Sequence, residues 1–166
     1  EFTHGIRRTL MGALILVYFV SLGFDILHIT TLFAVSGIIM MLFEFPTGAI
    51  ADYDSRKKSI VISLLLLSIA FFGIFLFKDF WLLAIFWVLG DIAWTFSTGA
   101  GSAWAIDALK YAKKKSKIVS LISRGYFFEK SGHIVGGLIG LVIVAINFRF
   151  VWLVIALMNL FMMFIV

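Results

Sequence analysis

The chain has no cysteine, a single proline and little charge, with 14% of its 166 residues Asp, Glu, Lys or Arg. Without cysteine there is no disulfide framework, no thiolate metal site and no cysteine nucleophile. The three histidines are scattered and lack metal-ligand spacing. Also missing are a His-Glu-x-x-His pair, a Gly-x-Ser-x-Gly elbow and a Walker loop, so neither an enzyme nor a bound cofactor is expected. No ring-forming filter sequence argues for a pore. No small-residue cleavage site follows a short apolar stretch at the start. The chain opens on Glu1-Phe2 without a methionine and closes inside an apolar run at Ile165-Val166, so a portion of a longer protein is expected.

What is present is apolar. Hydrophobic residues make up 63% of the chain and the mean hydropathy is +1.12, against about 45–50% apolar and about 25% charged residues in soluble domains. A water-soluble chain of this length could not hide so much apolar surface, so lipid must serve as part of its solvent. The net charge of +5 is carried between apolar segments, which argues against nucleic acid as a partner.

A hydrocarbon core about 30 Å thick needs about 20 apolar residues per helix. Six candidate spans follow: 9–24, 29–51, 59–77, 80–109, 118–147 and 150–166. Their length and continuous apolarity exclude a barrel, whose strands alternate over about 10 residues. The cations sort by connection. Arg7 and Arg8 precede the first span; Arg56, Lys57 and Lys58 follow the second; Lys110, Lys113, Lys114, Lys115 and Lys117 follow the fourth. The opposite side holds only Lys78 and Arg149. This bias places both termini in the cytoplasm of an inner or plasma membrane. The short connections on the other side predict antiparallel neighbours packed side by side.

One polar knot interrupts the apolar pattern. Residues 44–59 read EFPTGAIADYDSRKKS. As residues alone they fit a stop signal with positive-inside anchoring. Gly48 is expected to let another helix backbone approach closely, and Arg56 lies one helical turn beyond Asp52. The stretch Gly48-Ala-Ile-Ala-Asp52-Tyr-Asp-Ser-Arg56-Lys57-Lys58 also resembles the loop between the second and third helices of major facilitator superfamily transporters. Tyr53 stands in place of a basic residue there, and Ser55 in place of a glycine. Independently, Ser97-Thr-Gly99-Ala-Gly-Ser102-Ala-Trp104-Ala-Ile-Asp107 resembles that family's fourth helix, which ends in an acid. The resemblance implies an all-α membrane fold: the N-terminal six-helix half, built from two inverted three-helix repeats, over residues 1–166, with the second half absent from this chain. It further implies that Asp52, Arg56 and Asp107, beside Gly48 and Lys57, form a charge cluster that holds two halves together when the protein is open to the outside.

Ionisable groups at membrane depth are functional candidates by default. Glu44, Asp91, Glu129, Lys130 and His133 qualify. In the fifth span Glu129, Gly132, His133, Gly136 and Gly140 fall on one stripe. The four-residue repeat of Gly132, Gly136 and Gly140 is the spacing of close helix packing, so this face is expected to turn into the bundle. His133 lies roughly 22 Å along the helix from Ile118, and Asp91 roughly 16 Å from Phe80, which allows a contact of Asp91 with His133 or Lys130. These groups are read either as a polar cavity wall that exchanges protons or as charges neutralised by their neighbours. Trp94 is read either as the wall of a site for flat apolar molecules or as packing. The same stripe weakly resembles the fifth-helix motif of antiporters in the superfamily, with Gly137 where the motif has proline and Leu141 where it has a final glycine.

The function expected is therefore secondary transport of small apolar or amphipathic molecules, with export preferred, proton coupling as an open element, and either a second six-helix half or a homodimer partner. The alternative is a non-transporting scaffold or sensor on the same fold.

Overall fold

In the computed structural model, residues 1–53, 55–98, 100–111 and 115–166 are described. Every regular element among them is helical: α1 (Phe2–Ser21), α2 (Ile26–Tyr53), α3 (Arg56–Leu76), α4 (Phe80–Thr95), α5 (Ala100–Tyr111), a 3-10 turn (Lys115–Lys117), α6 (Ile118–Ile146) and α7 (Phe150–Ile165). By length and composition α2, α3 and α6 can cross a membrane, and α4 and α7 are apolar but shorter. Lys113 and Lys114, Gly99 and Asp54 lie outside the described residues.

Local chemistry sets the helix ends. Gly23, at φ 89°, makes the turn between α1 and α2, a conformation that costs glycine little. The Asp25 carboxylate then accepts the His28 backbone N–H at 2.8 Å and approaches the His28 ring at 2.7 Å. These bonds hold the exposed Asp25 carboxyl below the usual carboxylate range, the backbone bond contributing most. Ser55 sits in extended backbone and its hydroxyl accepts the Lys58 N–H, an N-cap for α3. The serine that stands where the family loop has glycine therefore starts a helix. Asp79 caps α4 by accepting from the N–H groups of Trp81 and Leu82.

Two expectations about the helices are corrected. The fourth span, 80–109, is two helices. At the break, the hydroxyls of Thr95, Ser97 and Thr98 bond back to the carbonyls of Ile92 and Trp94. The Ser59 hydroxyl of α3 takes the Phe96 carbonyl at 2.7 Å. Hydroxyl side chains that capture nearby carbonyls compete with the helix ladder, and here three within four residues end it. The first helix starts at Phe2, so Arg7 and Arg8 lie within it.

Packing follows a pattern other than chain order. α1 lies against α6, α3 against α4 and α7, and α2 against α4, whereas α1 touches α2, and α6 touches α7, only lightly. Side-by-side packing across a short connection holds for α3 and α4 alone. The shared core gathers Leu10, Tyr18 and Phe19 of α1, Ile29 of α2, Ile74 of α3, Leu83 of α4, and Trp152 and Ile155 of α7. Tyr18 and Phe71 both pack on the Trp152 ring, at 5.2 and 6.1 Å between centroids.

Arg149 secures one end of this core. Its guanidinium donates to the carbonyls of Phe75 and of Leu76, the latter at 2.9 Å, and lies 5.5 Å from the Phe75 ring centre. It thus caps the last turn of α3 from the start of α7. Arg149→Ala should cost about 1.5–3 kcal/mol, the scale of hydrogen bonds from a charged donor, and should speed amide exchange at residues 73–77. Arg149→Lys should recover only part, because a single ammonium lacks the guanidinium fork.

Candidate functional site

Two polar clusters stand out from the apolar bundle. The first joins three helices at one end. Arg56, at the start of α3, donates through Nη1 to Asp107 of α5 and through Nη2 to Asp52 of α2 at 3.2 Å. Lys110 adds a second cation 3.7 Å from Asp107. The side chains are 30% (Arg56), 53% (Asp107) and 73% (Asp52) exposed, so solvent screens the pairs. Exposed ion pairs are worth about 0–1 kcal/mol, which lets this cluster break and reform. The structure therefore brings Asp52, Arg56 and Asp107 together. Lys57 is exposed beside them, and Glu44, two turns earlier on α2, is exposed as well.

The expectation for Gly48 is corrected. A Cβ built there would meet no atom within 4 Å, because this part of α2 has no helix against that face. Close approach happens instead between α1 and α6. A Cβ on Gly132 would lie 2.1 Å from the Phe2 carbonyl oxygen, and one on Gly136 2.9 Å from Ile6 Cα. One on Gly140 would lie 3.0 Å from the Leu10 side chain, and one on Gly5 of α1 2.1 Å from the Glu129 carbonyl oxygen.

That contact carries the second cluster. Glu129 is nine-tenths buried, and its Oε1 faces Arg8 at 3.5 Å, His4 Nδ1 at 3.6 Å and His133 Nε2 at 3.7 Å. His133 Nδ1 shares a hydrogen bond with the Thr9 hydroxyl at 2.7 Å. The His4 ring stacks on Trp94 of α4, centroids 5.3 Å apart, so the cluster ties α1 to both α4 and α6. Next to it Arg7 donates to the side-chain carbonyl of Asn159, which is fully buried in α7. Glu1, His4 and Glu129 place ligand atoms within 4.8 Å of one another.

The proposed contact of Asp91 with His133 or Lys130 is not formed. Asp91 accepts a hydrogen bond from Ser36 of α2, because α4 packs on α2 and α3 while α6 packs on α1. Lys130 is exposed and is not among the Glu129 partners. Sequence reasoning missed Ser36, Thr9, His4, Gly5 and Asn159. Asn159, the one amide inside α7, carried a signal that could have been read.

A bundle of long apolar helices, with two clusters of ionisable groups between them, is an integral membrane protein of the α-helical class. The family model of the Major Facilitator Superfamily matches residues 2–166. The chain belongs to that superfamily, whose members are transporters. Neither the curated proteins nor the solved structures offer a match.

Proposed function

We propose that the chain is the N-terminal six-helix half of a secondary active transporter that moves small apolar or amphipathic molecules by alternating access. In this reading α4 and α5 together make one span, the six spans form two inverted three-helix repeats, and both termini face the cytoplasm of an inner or plasma membrane. The observation that carries it is Arg56 bridging Asp52 and Asp107, one guanidinium linking three helices at the end where the cations gather. Closed, the cluster favours one orientation of the two halves; opened, it releases them. The partner is a second six-helix half or a second copy. The little-buried faces of α2 and α6 are where it would dock.

Protons are the proposed coupling ion. Glu129, His4 and His133 supply three titratable groups around one carboxylate oxygen, at distances slightly longer than hydrogen bonds. Protonating the His4 ring would strengthen the tie between α1 and Glu129 of α6, and losing the proton would weaken it. Export of apolar compounds, by antiport and including efflux of several unrelated ones, is supported by the family resemblance and the abundant aromatic residues; the glycine stripe matches the antiporter motif only in part, with Gly137 in place of its proline.

The test is flux in proteoliposomes containing the full reading frame, with and without a pH gradient. Arg56→Asp should cut transport about tenfold, equivalent to about 1.4 kcal/mol, and adding Asp107→Arg should restore most of it. Glu129→Gln should leave downhill movement measurable and remove the response to the gradient. Flux indifferent to Arg56→Asp would sink the latch. Absence of flux for every apolar compound, with the protein folded, would favour the scaffold instead.

A further inference from the structure

The contact between α1 and α6 gathers three side chains of the kinds that bind metal ions. Glu1 and His4 read Glu-x-x-His. Ligands at i and i+3 share one face of a helix, and metal sites inside helical bundles use this pair. The turn that carries it is formed, since the Gly5 N–H donates to the Glu1 carbonyl at 3.0 Å. The facing helix supplies Glu129, and the three ligand atoms lie within 4.8 Å of one another. Glycines set this approach. Gly5 lets α1 close on the Glu129 carbonyl, and Gly125 leaves room for the Glu1 side chain, whose Cγ a Cβ there would meet at 3.3 Å.

The spacing fits an ion. His4 Nδ1 stands 3.6 Å from Glu129 Oε1, beyond the about 2.7–3.2 Å of an N–H···O bond. Two atoms bound about 2.1 Å from one tetrahedral zinc stand about 3.4 Å apart. His4 Nδ1 is closed off from solvent and has no hydrogen-bond partner, and the carboxylate it faces is nine-tenths buried. With the ring proton on Nε2, Nδ1 is a bare acceptor, and two acceptors this close repel unless a cation lies between them. A proton would join only two atoms, whereas Glu1 brings a third. Arg8, 3.5 Å from the same oxygen, is 59% exposed and can exchange that contact for water. His133 is held through Nδ1 by Thr9 at 2.7 Å and stays a neighbour. We propose that Glu1, His4 and Glu129 bind one divalent transition-metal ion across the α1–α6 contact, with water in the fourth position. Imidazole beside carboxylates suits zinc rather than calcium or magnesium. The exposed Glu1 side chain swings in to complete the set. The ion would pin α1 to α6. Because it takes the lone pairs that protons use, it would also silence the gradient response proposed above. That consequence rests on the transport reading; binding rests on the cluster alone.

Titration of the full-length protein in detergent, freed of metal and of any affinity tag, with Co²⁺ and Zn²⁺ tests this. Co²⁺ should bind one ion per chain with visible absorption, and Zn²⁺ should displace it and raise the melting temperature. Glu129→Gln and His4→Gln should each weaken Zn²⁺ binding by more than about tenfold, since even residues that only support metal ligands are worth about 10–100-fold. Arg8→Gln should tighten binding several-fold, because it removes a cation that competes for the same carboxylate. Should His4→Gln fail to fold through loss of its stacking on Trp94, Glu1→Gln at the exposed start of the chain repeats the comparison. His28→Gln, which removes the separate His28–Asp25 pair, should change nothing. Binding that survives Glu129→Gln, that disappears with His28→Gln, or that Mg²⁺ matches at equal concentration overturns the proposal. So does failure to take up either transition-metal ion at micromolar concentration.

Discussion

Gly132→Ala is expected to destabilise the bundle more than any other single methyl group added to α6. The new Cβ would sit 2.1 Å from the Phe2 carbonyl oxygen, well inside van der Waals contact. Neither atom can turn away, since one belongs to the α1 backbone and the other is fixed to the α6 backbone. The helices must separate, and separation also pulls His4 and Arg8 from Glu129 and Thr9 from His133. Overpacking a close contact costs about 1–3 kcal/mol, and this substitution should reach the top of that range. Gly5→Ala should cost as much, because its Cβ would meet the Glu129 carbonyl at the same distance. Gly137→Ala is the control. Nothing lies within 4 Å of a Cβ there, and alanine is favoured over glycine in a helix by about 1 kcal/mol, so it should be neutral or stabilising. Melting temperature and monodispersity of the purified protein distinguish the three. Equal melting of the Gly132 and Gly137 variants would show that α1 and α6 are not this close.

The glycine stripe was legible because repetition at four residues is a one-dimensional signal. Its counterpart Gly5 was not, since a single glycine has no period and only the partner helix gives it meaning. Helix ends were readable to within a few residues wherever polar punctuation marks them, as at Ser55, at Lys78-Asp79 and at Asn147. The break after Thr95 escaped a reading based on hydropathy. Thr95, Ser97 and Thr98 are short and only mildly polar, and their effect lies in which carbonyls they capture. The start of α1 was placed too late because His4, Arg7 and Arg8 look like loop residues when taken singly. They are helical because Glu129 and Asn159 meet them from α6 and α7, more than a hundred residues away in sequence. Asp91 shows the limit of counting depth. Its level along the bundle was read from the sequence, but depth does not say which neighbour a side chain faces, and the packing of α4 on α2 gave it Ser36. The convergence of Asp52, Arg56 and Asp107 rested on resemblance, since spacing alone relates only Asp52 to Arg56.

Asn159→Leu should be the most damaging substitution in α7. Asn159 is fully buried; its side-chain amide donates to the Ile155 carbonyl at 2.8 Å and its carbonyl accepts from Arg7. Leucine fits the volume but leaves the Arg7 guanidinium without its acceptor. Losing a hydrogen bond to a charged group, with the buried guanidinium left unpaired, costs about 1.5–3 kcal/mol. Arg7→Met alone should cost less, because it strands a neutral carbonyl. The double variant Arg7→Met with Asn159→Leu replaces both partners by apolar groups of similar shape, which can be nearly neutral. The cycle should therefore yield a coupling of about 2 kcal/mol, inside the 0.5–3 kcal/mol found for residues in contact. Thermal unfolding of the four proteins in one detergent measures it. If the two single losses simply add, the Arg7–Asn159 bond does not hold α1 to α7, and the anchoring of α1 rests on its glycine contact with α6, on the Glu129 cluster and on the apolar packing of Tyr18 against Trp152.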